Sequence, residues 1–351
     1  MTAPFSSLDH SGTNAMASTS LRYLSRSDIV AIGGDRSDLY MAAIEDGFRL
    51  HAAGDFVQPL KPYLRSPRTT HIADRIIAMP AWIGGDRPVA GLKWIGSKHD
   101  NPARRGIERA SAVIVLNDPE TNYPMAIMEA GLVSAMRTAA VTGIAVRHLA
   151  QAGFAEASLI GCGPIAARQA QTLAEQFPSL KTIRLFDLRE AAAEDLAAQL
   201  RDRFPHLQTV IVPSAEAAVR DCPVVVTCTV TDKPYLPFHW LSRGTLLANV
   251  SIMDVEREVF LKADKVVVDD WDQCNREKKI INLLVESGEF SRERLHAELG
   301  EIVVGRRPGR ETDDEIILLN PMGMAIDDIA CARAVLRRAE QAGAGTVLPL
   351  F

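Results

Sequence analysis

The sequence predicts an α/β protein: a doubly wound parallel sheet joined to a second domain that is rich in strands. The first observation is the alternation of short apolar runs with alanine-rich helical stretches between residues 146 and 321. The second is a glycine turn, Gly161-Cys162-Gly163, placed directly after one of those apolar runs. The third is a region over residues 57–123 in which β-type runs are separated by prolines and glycines.

The composition indicates an ordinary globular chain of 351 residues, long enough for two domains with separate cores. Hydrophobic residues make up 47% of it and charged residues 24%, as in most globular proteins. The net charge of −5 predicts no attraction to nucleic acid or to an anionic membrane, and we recognise neither a membrane-spanning run nor a signal peptide. The five cysteines are scattered, so we expect reduced thiols and a cytoplasmic location.

The first 145 residues predict a mobile tail followed by the strand-rich domain. Residues 1–20 are rich in small polar side chains without periodicity, which is typical of a tail. We expect one helix capped by Ser27 or Asp28 and a second helix over residues 38–44. The β-type runs cover residues 75–79, 89–95, 112–116 and 123–128, with a hairpin turn over 117–122 and a helix over 134–152.

The second part of the chain predicts the doubly wound sheet. Its strands are nearly continuous runs of Val, Ile and Leu, which suits strands buried on both faces. They cover residues 157–160, 182–186, 208–212, 224–228, 246–250, 265–268 and 316–319. A final helix over 325–341 lies beyond the last strand, so we expect it to return to the first domain. The predicted domains are therefore 21–145 with 322–351, and 146–321.

The glycine turn has the spacing of a dinucleotide-binding fingerprint, G-x-G-x-x-A. Gly161 permits a tight turn, Gly163 lets the backbone approach a pyrophosphate, and Ala166 lets the following helix pack on the strand. Asp187 ends the next apolar run, where a carboxylate accepts from ribose hydroxyls and repels a 2′-phosphate. The motif predicts a Rossmann domain that binds NAD, although a glycine turn alone also occurs in α/β proteins that bind no nucleotide.

Basic residues recur through the strand-rich domain and the predicted helix over 134–152. Lys93 lies inside an apolar strand, where a buried ammonium is costly unless it is paired or binds a ligand. Arg137 interrupts a helix of small residues, and a structural role at a strand end would explain it as well. Such cations suit a substrate with several carboxylates. The group consists of Lys61, Arg65, Arg68, Lys93, Lys98, Arg104, Arg105 and Arg137.

Polar residues follow two strands of the doubly wound sheet, where a nicotinamide site is expected. Asp254 is placed for proton transfer, but it fits equally well as the N-cap of a helix over 255–260. Thr229 and Asp232 are expected to line the cofactor groove, unless they only form a turn. The histidines show no ligand spacing, so we predict no metal. The predicted cofactor-binding residues are Gly161, Gly163, Pro164, Ile165, Ala166, Asp187, Thr229, Asn249 and Ser251.

Four separated motifs resemble those of the ornithine cyclodeaminase/mu-crystallin family over residues 22–345. They are Gly91-Leu92-Lys93-Trp94-Ile95, Ser134-Ala135-Met136-Arg137-Thr138-Ala139-Ala140, Gly161-Cys162-Gly163 and residues 249–254. The resemblance implies a strand-rich domain that binds substrate and dimerises, and a Rossmann domain that holds NAD(P). It also implies that Lys93 and Arg137 bind the substrate's α-carboxylate. Lys61 would face the substrate, and Asp254 would manage water and protons.

One position departs from the ornithine cyclodeaminases, which carry a glutamate two residues before a Met-Pro pair. The resemblance implies that this glutamate holds the substrate's amino groups. Here Met79-Pro80 is preceded by Ile76-Ile77-Ala78, so the acid is missing. A site for a diamine should keep it, whereas a site for a polycarboxylate should not.

The segments around Lys61 and Lys93 look closest to the family branch that makes L-2,3-diaminopropionate for siderophores. That branch implies NAD-dependent oxidative hydrolysis of N-(2-amino-2-carboxyethyl)-L-glutamate, with Lys93 and Asp254 as catalytic residues. The carboxylates would be held by Lys61, Arg65, Lys93 and Arg137. The alternatives are an ornithine cyclodeaminase, another amino-acid dehydrogenase or imine reductase of the family, and a mu-crystallin-like NADP-binding protein. We expect a small polycarboxylate amino acid as the substrate and a homodimer as the assembly.

Overall fold

The computed structural model describes residues 19–69, 71, 73–251, 253–276 and 279–350. Its strands form two eight-stranded sheets, one built mainly from the first 129 residues and the other from residues 156–319. One apolar core runs without a break from the first sheet into the second. The architecture is the predicted α/β fold. Among the described helices, none combines the length and the apolar character that a membrane span requires.

The described strands are β1 (Ser20–Leu24), β2 (Phe56–Val57), β3 (Tyr63–Leu64), β4 (Arg75–Ile83), β5 (Val89–Ser97), β6 (Ala110–Asn117), β7 (Pro124–Glu129), β8 (Glu156–Ile160), β9 (Thr182–Phe186), β10 (Gln208–Ile211), β11 (Val224–Thr227), β12 (Leu246–Asn249), β13 (Lys265–Val268), β14 (Ala297–Glu298), β15 (Ile317–Leu319) and β16 (Thr346–Pro349). The described α-helices are α1 (Arg26–Ala31), α2 (Ser37–Ala53), α3 (Asn101–Arg105), α4 (Gly131–Leu149), α5 (Pro164–Gln176), α6 (Glu190–Arg203), α7 (Ala215–Val219), α8 (Arg257–Lys262), α9 (Trp271–Cys274), α10 (Ile280–Glu286), α11 (Leu299–Val303) and α12 (Ala325–Ala342).

The second sheet is parallel throughout, in the order β10-β9-β8-β11-β12-β15-β13-β14. Its seven predicted strands are present, each within one residue of the expected ends, and only the two-residue strand β14 was missed. The chain turns back at β8, so β9 and β11 lie on opposite sides of it. In such sheets a crevice opens at the carboxyl ends of the strands at this point, which is where the glycine turn follows β8.

The first sheet has the order β16-β1-β7-β6-β5-β4-β2, and β3 also pairs with β4. Strands β4 to β7 form an antiparallel meander. Strand β1 lies parallel to β7 and antiparallel to β16. Strands β1 and β16 were not predicted, because their partners are distant in the chain and no hairpin turn marks them.

The N-terminal predictions need two corrections. Of the predicted tail, residues 1–18 lie outside the described chain, but Ser20 begins β1 and pairs with Pro349, so it is part of the sheet. The cap of α1 is Ser25, whose hydroxyl accepts the N–H of Asp28. Asp28 completes a capping box at the third helical position, and Ser27 lies inside the helix, so neither residue is the cap itself.

Two helices position the site. Helix α12 packs on β4 and β5 of the first sheet and against α2. Helix α4 contacts β6 on one side and β12 on the other, so it lies between the two sheets. The side chains of both helices therefore reach the space where the sheets meet. The domain boundaries near residues 146 and 321 stay a prediction.

Gly91 lies where β5 meets β6 and α12. A Cβ at this position would lie 2.6 Å from the carbonyl oxygen of Val115 and 2.8 Å from Cδ1 of Ile329. We expect Gly91→Ala to lower the free energy of unfolding by about 1–3 kcal/mol, because sheet and helix must separate to admit the methyl group. Urea denaturation measures the change. In the control Gly96→Ala the nearest atom would be 3.7 Å away, so equal losses in both variants would contradict this interpretation.

Candidate active site

A cavity of about 280 Å³ lies between the first sheet and the loops that follow the strands of the second. Strands β4 and β5 supply Ile77 and Lys93 to its wall, and α4 supplies Arg137. The loops after β11 and β12 supply Thr229 and Ser251. Residues that the sequence analysis assigned separately to substrate and to cofactor therefore face one space.

The glycine turn after β8 leaves room for a phosphate group. Gly161 has a φ of +87°, and a Cβ there would lie 2.9 Å from the backbone that follows β11, so only glycine fits. At Gly163 no atom lies within 4 Å of a Cβ position, so a ligand can approach the backbone. Gly163 is also the N-cap of the thirteen-residue helix α5, whose first-turn N–H donors are those of Ile165 and Ala166. The turn fits a pyrophosphate.

Asp187 follows β9 and lies beside the glycine turn. Its Oδ2 accepts the N–H of Cys162 at 2.8 Å, and its Oδ1 accepts the N–H of Arg189 at 2.9 Å. These two bonds fix the carboxylate while its side chain stays 15% exposed. A hollow of about 510 Å³ opens beside Gly163 and Arg189. A carboxylate held in this place is available to ribose hydroxyls and repels a 2′-phosphate.

Lys61, Lys93 and Arg137 line the cavity together and are less than 10% exposed; we call them the buried cation cluster. Nζ of Lys93 lies 2.7 Å from Oδ2 of Asp328, a residue of α12. Nε of Arg137 donates to Oδ1 of the same carboxylate at 3.0 Å. Burial lowers the pKa of Lys93 to about 8, against the opposing effect of Asp328. Asp328 therefore pairs with two cations of the cavity lining without belonging to the lining itself.

Lys61 connects the buried cation cluster to the loop after β15. Its Nζ donates to the carbonyl oxygens of Gly323 at 2.6 Å and of Met322 at 3.2 Å. Asp269, which follows β13, accepts the backbone N–H groups of the same two residues. Gly323 has a φ of +73°, and a Cβ there would overlap the guanidinium of Arg137. The conformation of this loop therefore positions both a lysine and an arginine.

Asp254 lies behind the cavity wall and does not belong to the cavity lining. Its carboxylate is fully buried, and Oδ1 accepts from the hydroxyls of Thr229 at 2.6 Å and of Tyr235 at 2.8 Å. Of these two partners, Thr229 lines the cavity. Burial raises the pKa of Asp254, which makes it a stronger base. The N-cap of α8 is Glu256, so the alternative role of Asp254 as a helix cap is wrong.

Asn249 and Ser251 occupy different places, although both were predicted to bind the cofactor. The side chain of Asn249 is buried, donates to Asn320 at 2.7 Å and accepts from Thr227 at 2.9 Å. These bonds join the ends of β11, β12 and β15, and Asn249 does not line the cavity. Ser251 does line it, with its hydroxyl 2.9 Å from that of Thr227. Asp232 is exposed and lies outside the lining.

Several predicted basic residues do not line the cavity: Arg65, Arg68, Lys98, Arg104 and Arg105. Arg65 is exposed, and its guanidinium lies 4.9 Å from the ring centre of Tyr63. The prediction that Arg65 is one of the cavity cations is therefore corrected. Its place is taken by Arg75 and Arg109, which line the cavity. Neither arginine was predicted, because a single arginine at a strand end carries no distinctive pattern.

The charge of the described cavity lining is one-sided. Ile77 lines the cavity at the position where the ornithine cyclodeaminases were expected to carry a glutamate. Five basic side chains and no carboxylate belong to the described lining. The cations are Lys61, Arg75, Lys93, Arg109 and Arg137. The lining therefore suits an anion with more than one negative group.

Two histidines come together that the sequence spacing did not connect. The rings of His71 and His99 stack 3.9 Å apart beside Asp74. The Asp74 carboxylate lies 2.8 Å from Nδ1 of His99 and accepts from Lys98 at 2.9 Å and from Thr69 at 3.0 Å. Ligand atoms of His71, Asp74 and His99 lie within 4.8 Å of one another, a grouping that the sequence spacing did not indicate, and the absence of a metal stays a prediction. Because Lys98 already balances Asp74, these contacts hold the segment before β4 against the segment after β5.

Asp187→Ser tests the cofactor contact. We expect about 10-fold weaker NADH binding and tighter NADPH binding, because the variant loses the ribose acceptor and the negative charge that repels a 2′-phosphate. Fluorescence titration with both nucleotides measures the two dissociation constants. Asp202→Ser makes the same charge change at an exposed position of α6 and should alter neither constant. Unchanged constants in Asp187→Ser would remove Asp187 from the cofactor site.

Comparisons with known proteins agree with this geometry. The chain is 55% identical over 330 residues to N-((2S)-2-amino-2-carboxyethyl)-L-glutamate dehydrogenase of Staphylococcus aureus, covering 94% of this chain and 98% of that protein. The structure matches an archaeal alanine dehydrogenase dimer with bound NAD at a TM-score of 0.84 and 33% identity, over 95% of this chain and 100% of the other. It also matches Δ(1)-pyrroline-2-carboxylate reductase of Thermococcus litoralis in complex with NADH and L-proline. The TM-score is 0.86 and the sequence identity 27%, over 93% of this chain and 99% of the other.

A sequence model of one family covers most of the chain. It spans residues 27–343, and thus includes the second sheet, the first sheet except β1 and β16, the glycine turn and the buried cation cluster. The resemblance inferred from four short motifs is confirmed by this match and by the 55% identical relative. The chain belongs to the ornithine cyclodeaminase/mu-crystallin family.

Proposed function

We propose that this protein is an NAD-dependent dehydrogenase that converts N-(2-amino-2-carboxyethyl)-L-glutamate to L-2,3-diaminopropionate and 2-oxoglutarate, in a pathway to a siderophore. The observation that carries the proposal is the cavity lining, which has five cations and no carboxylate among its described residues. The substrate bears three carboxylates, so it complements this lining. The 55% identity to the Staphylococcus aureus enzyme of that name supports the same substrate.

The glycine turn is where the cofactor NAD binds. Gly163 and the N–H groups of Ile165 and Ala166 would hold the pyrophosphate, and Asp187 would accept from the ribose. Bound NAD supplies one function, the acceptance of a hydride from carbon. Related structures contain NAD or NADH, which supports this cofactor.

The buried cation cluster would hold the glutamyl α-carboxylate. Lys93 and Arg137 share the carboxylate of Asp328, so their donors point in fixed directions before substrate arrives. Donors fixed in this way orient the Cα–H bond of the substrate without ordering long side chains during binding. Lys61, held by the carbonyl oxygens of the β15 loop, adds a third positive charge to the same place.

The second half of the reaction is the hydrolysis of an imine. Water adds to the carbon that lost the hydride, the nitrogen takes up a proton, and the C–N bond then breaks to give a ketone and a primary amine. Thr229 lies in the cavity wall with its hydroxyl bonded to Asp254. In this proposal the water gives a proton to Thr229, which passes its own to Asp254. The raised pKa of Asp254 favours that transfer.

The alternatives within the family require different charges in the cavity. A cyclodeaminase must bind a second amino group, and the described lining offers Ile77 where an acid is needed. A mu-crystallin-like protein that holds NADPH must accommodate a 2′-phosphate, which the carboxylate of Asp187 repels. Both features favour the dehydrogenase.

The outer face of the first sheet supports a homodimer. Trp94 of β5 and Val113 of β6 are direct neighbours on that face, 39% and 42% exposed, and Ile76 of β4 lies on the same side at 38%. An apolar sheet face of this kind is typical of a subunit interface. The alanine dehydrogenase that the structure matches is a dimer.

The five free cysteines favour the reducing cytoplasm as the location.

The substrate assignment is tested by mixing the protein with NAD and synthetic N-(2-amino-2-carboxyethyl)-L-glutamate. We expect absorbance at the NADH band to rise, with 2-oxoglutarate formed in equal amount, because hydride transfer and hydrolysis are coupled. L-ornithine and L-alanine in parallel reactions should give no product. Conversion of ornithine to proline, or NADH from alanine alone, would replace the proposal with one of the alternatives.

Asp254→Asn tests the proton path. We expect kcat to fall about 100-fold or more while the NADH dissociation constant stays unchanged, because the variant loses the proton acceptor and keeps its size. Thr229→Val should lower kcat similarly, since it interrupts the path. Tyr235→Phe removes the other hydrogen bond of Asp254 and leaves the path intact. If all three variants lose activity equally, Asp254 has only a structural role.

A further inference from the structure

We infer that Arg109 and Arg75 form a second carboxylate-binding subsite, separate from the buried cation cluster, which makes the enzyme specific for polycarboxylates. This inference rests on the proposed function for the identity of its ligand. The subsite would hold either the γ-carboxylate of the glutamyl half or the carboxylate of the diaminopropionyl half. Both residues line the cavity, and neither belongs to the motifs that revealed the family.

The two arginines lie at the same edge of the first sheet. Arg75 is the first residue of β4, and Arg109 directly precedes β6. Strand β5 runs between them in the opposite direction, and its Ser97 pairs with Arg75 on one side and Ala110 on the other. Two strand spacings place the arginine backbones about 10 Å apart, a distance that their long side chains can bridge towards one anion.

Within the described part of the chain, the charge of Arg109 has no partner. Its guanidinium makes no ion pair and no hydrogen bond with any residue that the structure describes, although the side chain is half-buried. Burial lowers its pKa, and no nearby carboxylate opposes that effect. In the buried cation cluster, by contrast, Asp328 pairs with both Lys93 and Arg137. A partly desolvated cation without a counter-charge is stabilised when an anionic ligand enters.

The spacing along the sheet separates the two groups of cations. Met79 pairs with Lys93, and Arg75 pairs with Ser97, four residues further along β5. At about 3.3 Å per residue the Lys93 and Arg75 backbones are about 13 Å apart. The two groups are therefore offset along the sheet, and a substrate with carboxylates at its two ends can contact both at once.

The wall between the two groups is apolar. Ile77 of β4 and Ile95 of β5 are paired across the strands and both line the cavity. They lie between the level of Lys93 and the level of Arg75, so a ligand that reaches both groups passes over them. The methylene groups of a glutamyl chain suit this surface, and an ammonium group does not.

Another cation adds to the positive potential near Arg75. Lys279 is 4% exposed, and its Nζ has no hydrogen-bond partner within the described chain. Burial, with a contribution from the charge of Lys61, lowers its pKa to about 7. The charge of Arg75 also acts to lower that pKa. A carboxylate bound by Arg75 would favour the protonated form of Lys279 and gain further attraction.

The test compares Arg109→Gln with the wild-type enzyme on three compounds. These are the full substrate, N-(2-aminoethyl)-L-glutamate, which lacks the diaminopropionyl carboxylate, and N-(2-amino-2-carboxyethyl)-L-2-aminobutyrate, which lacks the γ-carboxylate. We expect kcat/KM on the full substrate to fall about 10- to 100-fold, mainly through KM, because one charged hydrogen-bond donor is lost. The analogue that already lacks the bound carboxylate should lose less than about 3-fold. The analogue with the smaller loss therefore identifies, by the carboxylate that it lacks, which carboxylate the subsite holds.

Arg104→Gln is the matched control, because it makes the same charge change on an exposed arginine outside the cavity lining. Equal losses on all three compounds, no loss on any, or an equal loss in Arg104→Gln would overturn the subsite. Calorimetric binding of the full substrate to the NADH-bound protein separates the subsite from the reaction. If the wild type binds but does not turn over, the proposed function fails, and weaker binding in Arg109→Gln still supports the subsite.

Discussion

The carboxylate of Asp328 is the interaction on which the site depends. It comes from α12, near the end of the chain, and binds Lys93 of β5 and Arg137 of α4. All three side chains are buried, and leaving such a charge unpaired costs about 3–5 kcal/mol. The pairing therefore locks a helix from the end of the chain against a strand and a helix from its first half. The same pairing presents two cations to the cavity in fixed positions.

The doubly wound sheet could be predicted almost completely, and the outer part of the first sheet could not. Strands such as β11 and β15 are buried on both faces, so their sequences are nearly continuous apolar runs. Strand β16 is exposed along its length, β1 is buried only at Leu21 and Leu24, and the two strands pair although more than 300 residues of sequence separate them. Their existence depends on tertiary contacts that no local pattern contains.

The candidate site was predictable where a residue contradicts its surroundings. A lysine inside an apolar strand drew attention to Lys93, and a glycine turn followed by a helix drew attention to Gly163. Asp328 was missed because acids in the first turn of a helix are common and suit the helix dipole. Asp254 was found on the correct loop, but only the structure shows that Thr229 stands between it and the cavity.

The contact between Gly323 and Arg137 links two positions that are far apart in the sequence. The guanidinium fills the volume that any side chain at residue 323 would need. During evolution the two positions are therefore not free to change separately: a descendant that keeps the arginine is confined to glycine after β15. A descendant that gives up the arginine loses that restriction, although the positive φ of the turn still disfavours most residues. Substitutions at residues 137 and 323 should therefore be correlated within this lineage.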